Sequence, residues 1–194
     1  MADTAVEVAN QAFAVIGANT LSTFVGTSTE QIVATNLYQP IVDAALSSHR
    51  WRFATGKQTL GRLAQEPVNE WDAAYQMPTQ PKILLLNNVK VLDVTIEYDR
   101  FEDQIYCDAS EDDVVVADYI YSVPEQDWPP YFTKAVVYEL ASVFAAGITQ
   151  DSYMAAHFEE TAQLEYRKAR WSDSSQQTAR NLNTRKSKII NSRF

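Results

Sequence analysis

The chain has 194 residues, of which 46% are hydrophobic, and its formal net charge is −9. These values are typical of one globular domain with or without an insertion, and they exclude an intrinsically disordered chain. The negative charge argues against non-specific nucleic-acid binding by the whole surface, and the single cysteine, Cys107, excludes an intrachain disulfide or a cysteine-rich metal site.

Targeting and membrane signals are not evident in the sequence. The start, "MADTAVEVANQ", carries two acids and no basic region, so we do not expect a signal peptide. The apolar run "KAVVYELASVFAAGI" contains Lys134 and Glu139 and is too short to span a bilayer. We therefore expect a soluble protein that is made in the cytoplasm and has no membrane partner.

Two helices are predicted at the start of the chain. Apolar residues at three- and four-residue spacing predict a first helix, with Asp3 or Thr4 as N-cap and Gly17 at its end. Thr27 and Glu30 have capping-box spacing and predict a second helix, in which Pro40 should produce a kink or a break.

The central part of the chain has β character from Trp51 to about Tyr121. Segments such as "VTIEYDRF" and "DVVVADYIYSV" are rich in β-branched and aromatic residues, which predicts a mostly antiparallel sheet of four to six strands. The run "ILLLNNVKVL" predicts a tight hairpin at Asn87-Asn88, because asparagine tolerates positive φ.

Two more helices are predicted before a polar end. Pro129 and Pro130 suit the first turn of a third helix, near whose end Gly147 lies, and Thr149 or Asp151 caps a fourth helix. After Trp171 the apolar pattern stops, and the remaining residues are polar and basic.

The predicted fold is α+β and mainly α: a four-helix bundle core with an inserted small antiparallel β domain and an extended C-terminal tail. Residues 1–50 and 125–171 form the two helical halves, residues 51–124 form the β insertion, and residues 172–194 form a flexible basic tail.

Catalytic and cofactor chemistry has little support in the sequence. His49 and His157 lie in different helical halves outside any metal-binding motif, and Ser47 and Ser48 have no orienting acid nearby. The five glycines form no phosphate-binding loop. The acidic stretch "EYDRFEDQIYCDASEDD" lacks the EF-hand order of ligands and is interpreted as a solvated strand face with turns. We expect no catalytic residue, no metal and no cofactor.

Two segments remain as candidates for binding or architecture. In "SSHRWRFAT", His49, Trp51 and Phe53 are predicted to fill the junction between bundle and sheet, with Trp51 and Phe53 on one strand face and Arg50 and Arg52 on the other. The basic end could be a solvated tail, or a segment that orders on a protein partner through apolar anchors. The candidate residues of that segment are Arg180, Arg185, Lys186, Lys188, Ile189, Ile190, Arg193 and Phe194.

Several segments together resemble a known family. "AFAVIGANTLSTFVG", "ALSSHRWRFAT", "EWDAAYQMP" and "DWPPYFTKAVVYELASVFAAGIT" resemble the head-to-tail adaptor proteins of short-tailed bacteriophages, the tail tubular protein A family, over residues 5–170. "HRWRFA" and "WPPYF" are the most specific parts.

This resemblance implies a structural virion protein and not an enzyme. Copies would form a ring, usually a dodecamer, that joins the portal protein to a tail nozzle protein (tail tubular protein B-like), and viral DNA would pass through without specific binding. The C-terminal segment would dock on the portal. We further expect acids of 97–118, or Glu159 and Glu160, to face the channel, because an acidic lining lets DNA slide.

Two other functions stay open. The first is a peptidoglycan hydrolase, a cell-wall-degrading virion protein that uses an acidic pair of the β region. The second is a host-encoded or prophage-encoded soluble module of unknown binding role. Clearing of a peptidoglycan gel would identify the hydrolase, and ring formation with a portal would exclude the independent module.

Overall fold

The computed structural model describes residues 4–65, 67 and 70–176. Within them the chain forms four α-helices and eight β-strands. The helices are α1 (Ala5–Ile16), α2 (Thr29–Ser47), α3 (Pro130–Phe144) and α4 (Ser152–Ser175). The strands are β1 (Thr55–Thr59), β2 (Gly61–Arg62), β3 (Ala73–Gln76), β4 (Ile83–Val91), β5 (Val94–Thr95), β6 (Tyr98–Phe101), β7 (Gln104–Cys107) and β8 (Val115–Tyr121).

The helix termini carry the capping signals that the sequence predicted. Thr4 forms a capping box with Glu7 at the start of α1, and Gly17 ends that helix with φ 74°. Pro130 occupies the first turn of α3, and Asp151 caps α4. The cap of α2 is Ser28 with Gln31, one residue later than predicted.

The predicted break at Pro40 is wrong, because α2 continues through it. The helix buries Tyr38 and Val42 on either side of the proline, and Ala45 and Leu46 in its last turns. Burial of that face holds the helix together although the proline removes one main-chain hydrogen bond.

Helix α3 is the centre of the helical layer, and α1, α2 and α4 each pack against it. Phe13 of α1 stacks on Phe144 of α3 with ring centroids 4.6 Å apart. The segment Pro130–Thr149 consists of α3 and a following π-helical turn. By length and composition it could cross a membrane, whereas the sequence analysis judged its apolar run too short to do so. Its side chains Phe132, Val136 and Leu140 are fully buried, which is typical of a core helix in a globular protein.

The strands form two four-stranded antiparallel sheets. Sheet A has the order β1-β8-β4-β5, and sheet B has the order β2-β3-β7-β6. One core lies between the sheets and is made of alternate residues of facing strands, such as Val115 and Ala117 of sheet A and Ile105 and Cys107 of sheet B.

Sheet A is also covered on its other face by the helices. Ile120 of β8 belongs to the helical core, together with Trp51 and Ala54 from the segment that joins α2 to β1. Sheet A is therefore a middle layer, shared by the helical core and the sheet core.

The predicted four-helix bundle with a small inserted β domain is therefore wrong. The fold is α+β, with four helices and two four-stranded sheets in layers. Helical periodicity identified the apolar stripe of each helix but not its partner. In the structure α3 takes the central place in the helices, and part of the helical core is supplied by sheet A.

The predicted hairpin at Asn87-Asn88 is also wrong, because β4 runs through both residues with a register irregularity between Leu86 and Asn88. The chain turns instead at Leu92 and Asp93, both with positive φ, between β4 and β5. Their side chains are not typical of such a turn, which normally contains asparagine or glycine.

Candidate functional site

The segment "SSHRWRFAT" forms the corner between α2 and β1, and Trp51 lies at its centre. The Trp51 side chain is 0% exposed, and its indole N–H donates to the carbonyl of Ala45, 3.0 Å away. Its ring packs edge-on against Phe132 of α3, with centroids 5.1 Å apart, and it also contacts the ring of Phe53. Trp51 thus joins α2 to α3 in the core.

Residues Arg52–Ala54 form a 3-10 turn and not the start of a strand. The predicted alternation of Trp51 and Phe53 on one strand face and Arg50 and Arg52 on the other is therefore wrong. The half-buried ring of Phe53 nevertheless packs against Phe132, with centroids 5.0 Å apart.

His49 packs edge-on against Trp51, with ring centroids 4.9 Å apart. Burial lowers its pKa below the usual value, while the nearby Asp173 carboxylate acts in the opposite direction. The lowered pKa favours the neutral imidazole at neutral pH. This placement assigns His49 a packing role at the corner.

Arg50 joins the corner to sheet A through an ion pair with Asp118. Asp118 is only 1% exposed and lies in β8, while half of the Arg50 side chain is in solvent. Asp118 is one of the acids of 97–118 that were candidates for a channel lining, but its side chain faces the layer that contains α2 and is not in solvent.

Asp173 closes the corner from the end of α4. Its two carboxylate oxygens accept from the main-chain N–H of Arg52 at 3.2 and 3.3 Å, and one also accepts from the hydroxyl of Tyr131 at 2.9 Å. The side chain is 1% exposed. One carboxylate therefore ties α4 to the 3-10 turn and to the start of α3.

The sequence interpretation missed Asp173, which it placed in the tail that begins at residue 172. The spacing contains a signal that could have found it. Ala162, Tyr166 and Ala169 are the buried residues of α4, and Asp173 is the next position in the same pattern of four and three residues. The helix extends to Ser175, so residues 172–175 do not belong to a tail.

The candidate nucleophiles and bases do not come together. The Ser47 and Ser48 hydroxyls donate to the main-chain carbonyls of Asp43 and Ala45, both at 2.8 Å. His157 is exposed on α4, away from the corner that holds His49. Cys107 is buried, and burial raises the pKa of its thiol to about 11, which disfavours the reactive thiolate.

The acids of the β region mostly bind donors near turns and strand ends. Asp99 accepts from the indole N–H of Trp71 at 3.1 Å, Asp103 accepts from the side-chain amide of Gln76 at 2.8 Å, and Asp113 accepts from the main-chain N–H of Ser110 at 2.9 Å. An open cavity of about 370 Å³ lies beside these turns; Asp72, Asp108, Glu111, Asp113 and Arg62 are among its lining residues. Across residues 4–65, 67 and 70–176, His, Cys, Asp and Glu form no group of three that could hold a metal ion.

The predicted portal-binding residues lie outside the described part of the chain. They are Arg180, Arg185, Lys186, Lys188, Ile189, Ile190, Arg193 and Phe194. Helix α4 leads directly to that segment.

Helix α4 carries a second apolar stripe, which the sequence interpretation did not identify. Tyr153, Leu164 and Trp171 are 85%, 47% and 74% exposed. They are separated by 11 and 7 residues, which are close to three and two full turns of a helix with about 3.6 residues per turn, so they share one face. We call these three residues the α4 stripe.

The α4 stripe points away from the protein. The buried residues Ala162 and Tyr166 lie about half a turn from it around the helix axis, on the face that packs against α3. The stripe extends over about 27 Å, from the first turn of α4 to its last turns. Glu160 and Arg167 lie on the same helix face between these side chains. Exposed aromatic residues of this kind are enriched in protein–protein contact surfaces.

No protein-family model matches this chain, and no curated protein matches its sequence.

Proposed function

We propose that this chain is a structural protein of a bacteriophage virion, a head-to-tail connector without catalytic activity. Copies assemble into a ring, a dodecamer, between the portal protein and the tail nozzle protein, and viral DNA passes through the ring. The C-terminal segment, residues 177–194, docks on the portal. The family resemblance stated above is the origin of this proposal.

The α4 stripe is the observation that supports the proposal most directly. A connector has to offer each neighbouring protein a surface, and the stripe is an exposed apolar surface on the helix that leads to residues 177–194. Tyrosine, tryptophan and arginine are the residue types that dominate protein–protein binding energies, and Arg167 and Arg170 lie beside Trp171.

The charge of the chain agrees with a channel for DNA. A net charge of −9 repels phosphate, so DNA would move past the ring without the retention that many Lys and Arg contacts produce. Acids of the β region, such as Asp99 and Glu102, are exposed, as is Glu159 on α4.

Electron microscopy of the purified chain, mixed with a portal ring of a short-tailed bacteriophage, tests this function. We expect rings of this protein seated on one face of the portal. A truncation after Gln176 tests the docking segment, because it leaves every described element intact; it should retain the fold and lose portal attachment. A protein that never associates with a portal ring, or a truncated one that binds it normally, would contradict the corresponding part of the proposal.

The hydrolase alternative has its own readout. The cavity lined by Asp72, Asp108 and Glu111 is where an acidic pair of the β region could act. Clearing of a peptidoglycan gel that is lost in the Glu111→Gln variant would favour the hydrolase over the connector.

A further inference from the structure

A groove lies in the helical layer between α1 and the start of α3. It has a volume of about 500 Å³ and is open to solvent. Apolar parts of Val15, Trp128, Val137 and Tyr138 line it, and Glu125 lies at its edge. We call it the α1–α3 groove.

The groove has exposed apolar surface of its own. Val15, on the partly exposed helix α1, is among the exposed large hydrophobic residues. Trp128 and Val137 form the floor and are themselves buried in the helical core. A large side chain that entered the groove would therefore contact the core of the protein directly.

The charges around the groove and the stripe are complementary. Glu125 lines the groove and the exposed Asp127 follows it by two residues in the chain, whereas Arg167 and Arg170 precede Trp171 on α4. The lysine in the groove, Lys134, forms an ion pair within its own chain with Glu165, at 3.1 Å. The cationic end of the stripe thus matches the acidic edge of the groove.

Resting on the connector function proposed above, we infer that the α4 stripe of one copy docks in the α1–α3 groove of the next copy, and that Trp171, at the C-terminal end of the stripe, is the main side chain of the contact. The two surfaces lie on different parts of the protein, so the contact is heterologous: each copy donates its stripe to one neighbour and its groove to another. A heterologous contact generates a ring when the rotation between copies closes.

The alternative contact is isologous, with the stripes of two copies packed against each other. That arrangement leaves the α1–α3 groove unused and stops at a dimer. The two arrangements therefore predict different results for variants that alter the groove alone, and for mixtures of variants.

Two single variants of the full chain test the inference by analytical ultracentrifugation over a wide concentration range. Trp171→Ala removes the stripe's main side chain. Val15→Arg places a cation in the groove, where it would repel Arg167 and Arg170 of the docked copy. The matched controls are Phe101→Ala, an exposed aromatic residue of β6, and Val25→Arg, an exposed apolar residue before α2. We expect self-association to weaken at least tenfold in both variants and to be unchanged in both controls.

Mixing the two variants is the decisive step. Trp171→Ala keeps an intact groove and Val15→Arg keeps an intact stripe, so the mixture should form one-to-one dimers that neither variant forms alone and that do not grow further. Normal self-association of Val15→Arg would overturn the inference and favour stripe-to-stripe packing. A mixture of the two variants that stays monomeric would also overturn the inference. A wild-type chain that remains monomeric at every concentration would also overturn it.

The portal experiment separates this inference from the connector function. If Trp171→Ala and Val15→Arg both form normal rings on the portal, the docking geometry is wrong but the connector function stands. If the wild-type chain self-associates through stripe and groove and yet never binds a portal ring, the docking geometry stands and the connector function fails.

Discussion

At the scale of single residues, two buried carboxylates hold the layers of this protein together. Asp118 joins sheet A to Arg50, and Asp173 joins α4 to the main chain of Arg52 and to Tyr131. A buried carboxylate needs donors that replace the water it has lost. Both oxygens of Asp173 accept hydrogen bonds, whereas within the described residues only Oδ2 of Asp118 has a donor and its buried Oδ1 has none.

Replacing Asp173 by alanine should destabilise the fold by about 2 kcal/mol, because the part-buried donors of Arg52 and Tyr131 lose their acceptor. Urea unfolding of the full chain measures this loss. Ser174→Ala is the matched control, since Ser174 is the exposed neighbour on the same helix. An Asp173→Ala protein as stable as the control would show that these hydrogen bonds do not matter for stability.

Glu139 of α3 predicts a dependence of stability on pH. Its carboxylate accepts a hydrogen bond from the Tyr166 hydroxyl, and burial raises its pKa above the ordinary 4.5. The folded state therefore binds more protons than the unfolded state between pH 4.5 and the raised pKa, so this group's contribution to stability is lost as pH rises through that window.

Glu139→Gln removes this titration. The stability of the variant relative to wild type should be greater at about pH 7 than at about pH 4. At about pH 7 the Glu139 carboxylate of the wild type is a desolvated charge, whereas the glutamine of the variant is neutral at both pH values. Denaturant unfolding at both pH values measures the difference, and Glu159→Gln on the exposed face of α4 is the control. A relative stability that is equal at the two pH values would contradict the prediction.

At the scale of elements, the turn between β4 and β5 is unusual because neither residue is asparagine or glycine. Leu92 has φ 49° and Asp93 has φ 65°, and a leucine in this left-handed region is strained. The Asn87-Asn88 pair, which looks like a turn in the sequence, lies inside β4 because the strand pairs with β8 along its whole length.

Changing Leu92→Asn together with Asp93→Gly should stabilise the protein by about 1 kcal/mol, because the new pair suits a turn with two positive φ angles. Asn88→Gly creates the same Asn-Gly pair within β4 and should destabilise, since glycine weakens a strand interior. Thermal unfolding of the two variants measures both effects. If the double variant were less stable than wild type and Asn88→Gly were more stable, the chain would instead turn at Asn87-Asn88.

At the scale of the whole molecule, three layers share two cores. Helices cover one face of sheet A and sheet B covers the other, so the β region is built into the same folded unit as the helices. The exposed features, acids around the β region and the apolar α4 stripe, then lie on the surface of that unit.

The surface charge predicts that the full chain does not bind duplex DNA. Fluorescence anisotropy of a labelled duplex should remain unchanged at physiological salt, because the net charge of −9 repels phosphates more than its basic residues attract them. The isolated peptide of residues 177–194, which contains five Arg and Lys and no Asp or Glu, is the comparison and should bind at low salt. Tight binding of DNA by the full chain at physiological salt would contradict an electrostatically inert channel lining.

The sequence by itself determined the elements whose signals are local. Thr4, Gly17, Pro130 and Asp151 mark helix ends through main-chain geometry and capping, which depend on nearby residues only. The antiparallel β character of the region between the helix pairs is likewise local, because it follows from β-branched and aromatic composition.

Only the tertiary structure decided how these elements combine. The central place of α3, the division of the strands into two sheets and the burial of Asp118 and Asp173 each depend on residues far apart in the chain. The α4 stripe became visible for the same reason: Trp171 counts as unpartnered only once the opposite face of α4 is known to pack against α3. Periodicity shows that a helix has an apolar face, but the partner of that face is chosen by long-range packing.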